Sequence, residues 1–479
     1  MLAMAQRQAL HYLPLILLSK ACVMPLPRHI AVIDIGKTNA KVVLIDSVTR
    51  QQIGGKTTTN SVVKHGLYPH ADVERLWSFI LDSLTALQAE HGIDGISITT
   101  HGATAALMAG DRLAMPVLDY EFEGPEETAA EYSATRPPFS ETLSPRLPNG
   151  LNLGAQIFWQ SRRFSAAFAE VTDILSYPQY WAWRLTGLSA SEVTSLGCHT
   201  DLWEPDRGDF SSLVDAEGWR KLFAPIRPAA SVLGPVSGGI AEAVGLPLST
   251  PVTVGIHDSN ASLIPHLGGR EAPFTILSTG TWTIAMTVGG STQGLDAERD
   301  SLANVDAFGR PVPTARFMGG REFELLVPNP VEPSAEDIGR VLADDVQALP
   351  SFAPGVGPFP RAEGRWTSDP AGLTDGERTA TASLYLALVA QASLGLCGLG
   401  ESIIIEGPLA RNALFGQALA ALTGVPVSVS ADATGTSMGA SLLFGPEENE
   451  VPQARDLTPL DVPGFADYTR RWAERAAQF

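Results

Sequence analysis

HIAVIDIGKTNAKVVLID, residues 29–46, decides the fold. Two short β-branched runs, Ile30 to Ile35 and Lys41 to Asp46, flank a Gly/Thr/Asn turn, which predicts strand, polar turn, strand. The same pattern returns far downstream: Phe274 to Leu277, the turn STGT, then Trp282 to Val288. Laid over the first copy, Gly280 falls on Gly36 and Ser278 on Asp34. The spacing is too long for a solenoid repeat. It describes an internal duplication, two related lobes that each offer a glycine turn to a shared cleft.

The remaining elements fit a layered α/β architecture. Apolar residues at Val73, Leu76, Trp77, Ile80, Leu84 and Leu87 predict a helix over Asp72 to His91, leading into the strand GISITT. Gly and Pro cluster in Pro137 to Gly154, Gly234 to Gly255 and Pro354 to Gly364, which read as loops with a lobe junction near Gly255. In the second half, Thr379 to Gly400 reads as a helix, SIIIEGP as a buried strand ending in a glycine turn, and Asn412 to Thr423 as a helix. The chain closes on a glycine-rich turn and helix start, ATGTSMGASLL. The resulting division is an extension over 1–24, a first lobe over 25–265 and a second over 266–479.

Composition bounds the function. The 479 residues are 44% hydrophobic and 18% charged, as in a folded soluble protein. The formal charge of −19 argues against nucleic acid or an anionic membrane as partner. A small phosphorylated ligand is still compatible, because backbone amides bind phosphate without net positive charge. Cys22, Cys198 and Cys397 stand far apart, which fits a reducing, cytoplasmic compartment. The apolar run Leu13 to Leu18 is too short for a membrane span, and residues before Met24 read as an upstream extension or a disordered tail.

Gly36-Lys37-Thr38 invites a P-loop reading, but Ala31 stands where that motif needs its first glycine, and the turn returns into a strand instead of a helix. No G-x-G-x-x-G follows a strand, so a dinucleotide cofactor is unsupported. The turn instead offers Asp34 at the strand end, Gly36 and Thr38 within it and Lys41 beyond. Such a turn can form an anion nest, with a carboxylate placed to hold hydrated Mg²⁺. An ordinary tight turn explains the same letters. Asp258, in GIHDSNAS, follows the apolar run Val252 to Ile256, where it could accept a proton from an attacking hydroxyl or simply cap the next helix. His257 beside it reads as a packed histidine. His101 ends a strand and could point a hydrogen-bond donor at a polar ligand, or be structural. Asp119, Tyr120 and Glu121 combine carboxylates with a ring, as a sugar site would, although a solvated loop has the same composition. The aromatic run Tyr177 to Gly187 reads as a helix packing into a core.

In this order the pieces resemble the FGGY family of carbohydrate kinases, within the actin-like, sugar kinase and heat-shock ATPase superfamily. DIGKTNAK is similar to its first phosphate motif, PQYWAWRLTG to its Arg-Leu-Thr-Gly helix, GLPLSTPVTVGIHDSNAS to the segment with the catalytic aspartate and STGTW to the second phosphate motif. EGPLARN is similar to the adenosine motif and ATGTSMGAS to the final glycine turn. The resemblance implies two actin-like, ribonuclease H-like lobes and phosphorylation of a sugar hydroxyl with ATP and Mg²⁺ in the cleft between them. It further implies Asp258 as general base, Asp34 holding or orienting the metal through water, and Gly36, Thr38, Lys41, Gly280 and Thr281 around the phosphates. Gly407, Asn412 and Gly439 would meet adenosine, and His101 and Glu121, with Asp258, would line the sugar pocket. Lys37 to Lys41 departs from the family's Thr-Thr-Ser-x-Arg, Glu121 stands where aspartate is commoner, and ATGTSMGAS is longer than the usual glycine turn.

The His-Asp pair leans toward rhamnulokinase and fuculokinase relatives, with L-rhamnulose the first choice, attacked through its C1 hydroxyl. L-Fuculose, ribulose and xylulose stand behind it, a pentulose reacting through C5. A chaperone would need a further domain after Pro446. A sugar sensor without catalysis is the reading from another class, opposed by the presence of Asp34, Asp258 and both turn glycines. A homodimer is left open.

Overall fold

A computed structural model describes residues 26–430, 435–445 and 453–478. The N-terminal extension, its apolar run, Cys22 and the residues Ala433 and Thr434 of the final glycine motif lie outside the described residues.

The opening stretch folds as a hairpin, His29–Ile35 against Asn39–Asp46, with Ile35 opposite Ala40 and Asp34 opposite Lys41. Gln51–Thr59 adds a third antiparallel strand, while Gly95–Thr100 joins the other side in parallel. Pro251–Thr253 and Ile256–His257 then pair in parallel with Gly95–Thr100. The second sheet repeats this order. Phe274–Thr279 lies antiparallel to Thr283–Val288, which pairs with Pro311–Phe317, and Ile403–Glu406 and Val427–Ser430 follow in parallel on the far side. The parallel strands are buried on both faces, which is why Gly95–Thr100 and Ile403–Glu406 read as unbroken apolar or small-residue runs. The two turns differ by one residue. Gly36 to Asn39 lie between the last paired residues of the first hairpin, and Gly280 to Trp282 between Thr279 and Thr283 of the second.

Helix Val73–His91 buries Leu76, Ile80, Leu84 and Leu87 against the first sheet and is capped by Asp72. Helix Tyr177–Thr186 packs its rings inside the same core and stops at Gly187, whose φ of 76° suits glycine. The long helix of the second lobe runs Asp375–Cys397, starting upstream of its expected beginning at Thr379 because Thr374 and Glu377 form a capping box. It is long and apolar enough to cross a membrane, but 78% of its most apolar window is buried, as in a core helix. Asn412 caps Ala413–Thr423.

Two expectations change. Gly234 to Gly255 is not a loop: it contains the end of strand Val232–Pro235, helix Gly238–Val244 and strand Pro251–Thr253, its glycines marking element ends, with Gly245 at φ 78° closing the helix. Pro137 to Gly154 likewise contains the short helix Phe139–Thr142. The chain also crosses back at its end. Helix Thr436–Ser441 leaves the second lobe and lies on the first sheet, where Ser97 Oγ donates to Ala440 O at 2.7 Å.

Candidate active site

Asp258 starts helix Asp258–Ala261 directly after the strand end Ile256–His257, so its side chain emerges where the first sheet opens toward the second lobe. Asp258 does not cap that helix, whose N-cap position is His257. Oδ1 accepts the Ser259 N–H at 2.6 Å, a local helix-start bond, and the carboxyl also lines a cleft with Ser259 and Ser262 on one side and Ser278, Glu406, Gly407, Gly435 and Thr436 on the other. The side chain is 30% exposed yet recessed among protein atoms. Burial raises its pKa to about 6, with the neighbouring Asp34 charge adding to the rise and His101 opposing it.

His257 is a packed histidine, and it is also aimed at Asp258. The Asn260 amide donates to Nδ1 at 3.2 Å, which places the ring hydrogen on Nε2, 3.2 Å from Asp258 Oδ1. Burial lowers its pKa to about 4, so the donor is a neutral imidazole. Its backbone N–H is held by Thr194 Oγ1 at 3.1 Å, and Thr194 is held in turn by the buried Glu192 at 2.6 Å. Gly102 makes room: a Cβ there would stand 2.7 Å from His257 Nε2.

Asp34 is buried, with Ser437 Oγ donating to Oδ2 at 2.5 Å and Lys41 Nζ at 3.3 Å from the same oxygen. Ser437 belongs to the returning helix, so a segment 403 positions downstream fixes a carboxylate of the first strand. Among the described residues no three His, Cys, Asp or Glu side chains gather as a metal cluster. That donor set fits a Mg²⁺ carried largely by phosphate oxygens and water, with Asp34 its nearby carboxylate, better than a metal held by protein alone.

The turn glycines help to shape their own turns. Gly36 N–H donates to Asn39 O at 2.9 Å and Gly280 N–H to Trp282 O at 2.8 Å, so both amides close their own turns. Beside them, Thr38 and Thr281 are exposed. Gly320 lets its helix approach this turn, since a Cβ there would overlap Gly280 O. Gly407 has a φ of 82°, and a Cβ there would run into Thr279 O, which keeps that wall of the cleft bare. Asn412 spends its side chain structurally, accepting from Phe415 N–H at 3.0 Å and donating to Ser383 Oγ at 2.8 Å. Gly439 packs flush against Ala261 O, directly behind the Asp258 helix.

A cavity beside Asp258 is lined by Lys37, Asn60, Val62, His101, Leu118 and Asp119, among others. His101 Nδ1 lies 3.0 Å from Gly102 O and donates to it, and burial holds the ring pKa below its ordinary value. Nε2 is then an acceptor, reversing the expectation of a donor. In the turn after Leu118, Asp119 faces inward with a side chain 11% exposed, whereas Glu121 stands at the rim, 64% exposed. The inward carboxylate is thus Asp119 and not the expected Glu121. Two participants escaped sequence reasoning. Lys37 reaches Asp119 across the cavity, and Ser437 reaches Asp34; the only sequence signal for either was its position inside an unusual motif.

With this geometry in place, known proteins discriminate further. The profile of the N-terminal domain of the FGGY family of carbohydrate kinases matches residues 29–265, and that of the carbohydrate kinase FGGY C-terminal domain matches residues 271–453. The chain belongs to the FGGY family of carbohydrate kinases. This kinase is 26% identical over 440 residues to an L-fuculokinase of Salmonella typhi, covering 87% of this chain and 91% of that one. The crystal structure of a carbohydrate kinase from Novosphingobium aromaticivorans superposes with a TM-score of 0.86 at 37% identity, covering 94% and 98% of the two chains. Ligand-bound xylulose kinase from Lactobacillus acidophilus gives 0.76 at 14% identity over 94% and 97%, which speaks to the fold alone. The kinase is therefore a phosphotransferase acting on a sugar hydroxyl, with two actin-like lobes.

Proposed function

We propose that the kinase phosphorylates the primary C1 hydroxyl of a 6-deoxy-ketohexose, with Asp258 as general base. The carrying observation is the position of Asp258: it lines the interlobe cleft and interacts electrostatically with His101 and Tyr120, both of which line the adjacent cavity. The cavity places Val62, Ala71 and Leu118 beside Asn60, His101 and Asp119, a mixture suited to a sugar with an apolar methyl end and several hydroxyls. L-Fuculose takes precedence over L-rhamnulose because the curated relatives are L-fuculokinases; ribulose and xylulose follow.

Mg-ATP supplies the phosphoryl group and neutralises its charge. The protein orients and moves a proton. His101 Nε2 and Asp119 accept sugar hydroxyl hydrogens, and His257 Nε2–H fixes the Asp258 carboxylate. Asp258 would take the C1 hydroxyl proton as that oxygen bonds to the γ-phosphorus and the bond from phosphorus to the β,γ-bridging oxygen breaks, ADP leaving with the bridging oxygen, and would release the proton to solvent after product leaves. Thr38, Lys41 and Thr281 would hold the phosphates, Asp34 would be the carboxylate nearest the metal, and Gly407 with the Asn412 and Gly439 segments would shape the adenosine side.

A coupled ADP-release assay over ketoses, polyols and aldoses tests this reading. One 6-deoxy-ketohexose should dominate, and Asp258→Asn should cut its turnover about 10²–10⁴-fold while leaving ATP affinity within about twofold. Unchanged turnover in the variant would remove Asp258 as base. A silent panel with intact ATP binding would favour the sensor reading.

A further inference from the structure

Lys37 sits in the first phosphate turn, yet its side chain leaves the phosphate side. The turn is pinned from behind by Asn60, whose amide donates to Gly36 O at 2.8 Å and whose N–H donates to Thr38 O at 2.8 Å. From it the two lysines diverge. Lys41, paired in register with Asp34, keeps its ammonium by that carboxylate. Lys37 turns into the cavity, ion-paired with Asp119, 3.2 Å from Glu121 Oε2 and 4.4 Å from the centroid of the Tyr120 ring. It lines the cavity with His101 and is itself 22% exposed.

We infer that Lys37 is a sugar-specificity residue: tethered by Asp119 and Glu121 over Tyr120, its ammonium donates to a sugar oxygen, while the net negative charge of the three side chains together selects neutral ketoses over sugar acids. An ammonium has three hydrogens. Two are directed to carboxylates, and the third is available to a ligand oxygen in the cavity. The charges explain the selection. Lys37 contributes one positive charge against the two negative charges of Asp119 and Glu121, so a ligand carboxylate would enter a site with a net negative charge, whereas a hydroxyl or ketone oxygen finds a donor already oriented. The tether also removes rotamer freedom from a long side chain before the sugar arrives, which favours specificity.

The inference rests on the kinase reading in taking this cavity as the sugar site. It is tested with Lys37→Met, Lys37→Arg, Asp119→Asn and the charge-balanced pair Lys37→Met/Asp119→Asn, which avoids leaving Asp119 buried and unpaired if the single variant folds poorly. Sugar KM, the ketose-to-aldonate ratio of kcat/KM, and ATP affinity by calorimetry are measured. Support is a tenfold or greater rise in sugar KM for Lys37→Met, and for the pair a rise beyond that of Asp119→Asn alone, with partial recovery in Lys37→Arg and ATP affinity within twofold of wild type. A comparable loss of ATP affinity would return Lys37 to the phosphates, and a sugar KM in the folded pair no higher than that of Asp119→Asn alone would equally overturn the inference. If wild type turns over no sugar, the substrate reading fails by itself; the inference then rests on ATP affinity, which a phosphate role would lower and a sugar role would not.

Discussion

Asp258, the proposed base, stands where burial and a neighbouring carboxylate resist its charge. Burial and the Asp34 carboxylate push its pKa up to about 6 from the usual carboxylate range, which brings it close to the working pH of a general base. The neutral His257 can donate to the carboxylate without fully offsetting its charge. Two consequences have opposite signs. Activity needs the ionised form, so kcat/KM should fall about tenfold per pH unit below about 6, and a flat profile from pH 7.5 to 5 would exclude Asp258 as the titrating base. Stability prefers the protonated form: the cost of the buried charge is absent below the unfolded pKa near 3.8, grows as pH rises through 6 and is complete above it. Asp258→Asn should therefore stabilise the protein at pH 8 by on the order of 1–2 kcal/mol, with the gain shrinking toward pH 4.5 in denaturant unfolding. An equal gain at both pH values would contradict the buried-charge account.

Among the elements, the short helix Thr436–Ser441 bears most on the site for its length. Ser437 holds Asp34, Ser97 holds its Ala440 carbonyl, and Gly439 lets it lie against Ala261 of the Asp258 helix. A methyl group on Gly439 would meet backbone, which cannot rotate aside as a side chain can. Gly439→Ala should cost about 1–3 kcal/mol and lower kcat by displacing the Asp258 helix, whereas Gly395→Ala, on an exposed helix position with open space, should be neutral or stabilising by up to about 1 kcal/mol. Thermal unfolding of the two variants compares them directly; equal effects would mean that helix contact does not matter. These elements also show what was legible in sequence. Both hairpins, helix Val73–His91 and helix Tyr177–Thr186 follow from local periodicity and turn residues. Asp34 meeting Ser437, and Lys37 meeting Asp119, join residues 403 and 82 positions apart, and no local pattern encodes which way a side chain at a turn will point. Gly234 to Gly255 was misread for a related reason: glycines that end short elements look like glycines of a loop.

At the scale of the whole molecule, the lobes are linked at several points. The second-lobe strand Ser301–Val305 extends against the first lobe, with Ala303 N–H donating to Leu143 O at 3.1 Å and Val305 packed into the first lobe's aromatic cluster. The returning helix, whose Thr436 lines the cleft, makes another link, and Thr292 Oγ1 donating to Asp206 at 3.2 Å a third. Between them, Ser259 and Ser262 face Ser278, Gly407 and Thr436 across the cleft. A nucleotide touching both walls would gain contacts only as they approach, and the same approach would carry its phosphates toward Asp258 and the sugar cavity of the first lobe and exclude water. Because the two ligands would then favour one closed arrangement, each should strengthen the other's binding by an equal factor, about 5–100-fold for a coupling of 1–3 kcal/mol. Sugar affinity measured by calorimetry with and without a non-hydrolysable ATP analogue should show this factor, and ATP-analogue affinity with and without sugar should return the same one. Gly439→Ala, which wedges the returning helix off the Asp258 helix, should reduce the coupling more than either separate affinity. Independent binding in the wild type would mean that the cleft is already closed without ligands, and catalysis would then depend on access through a fixed opening.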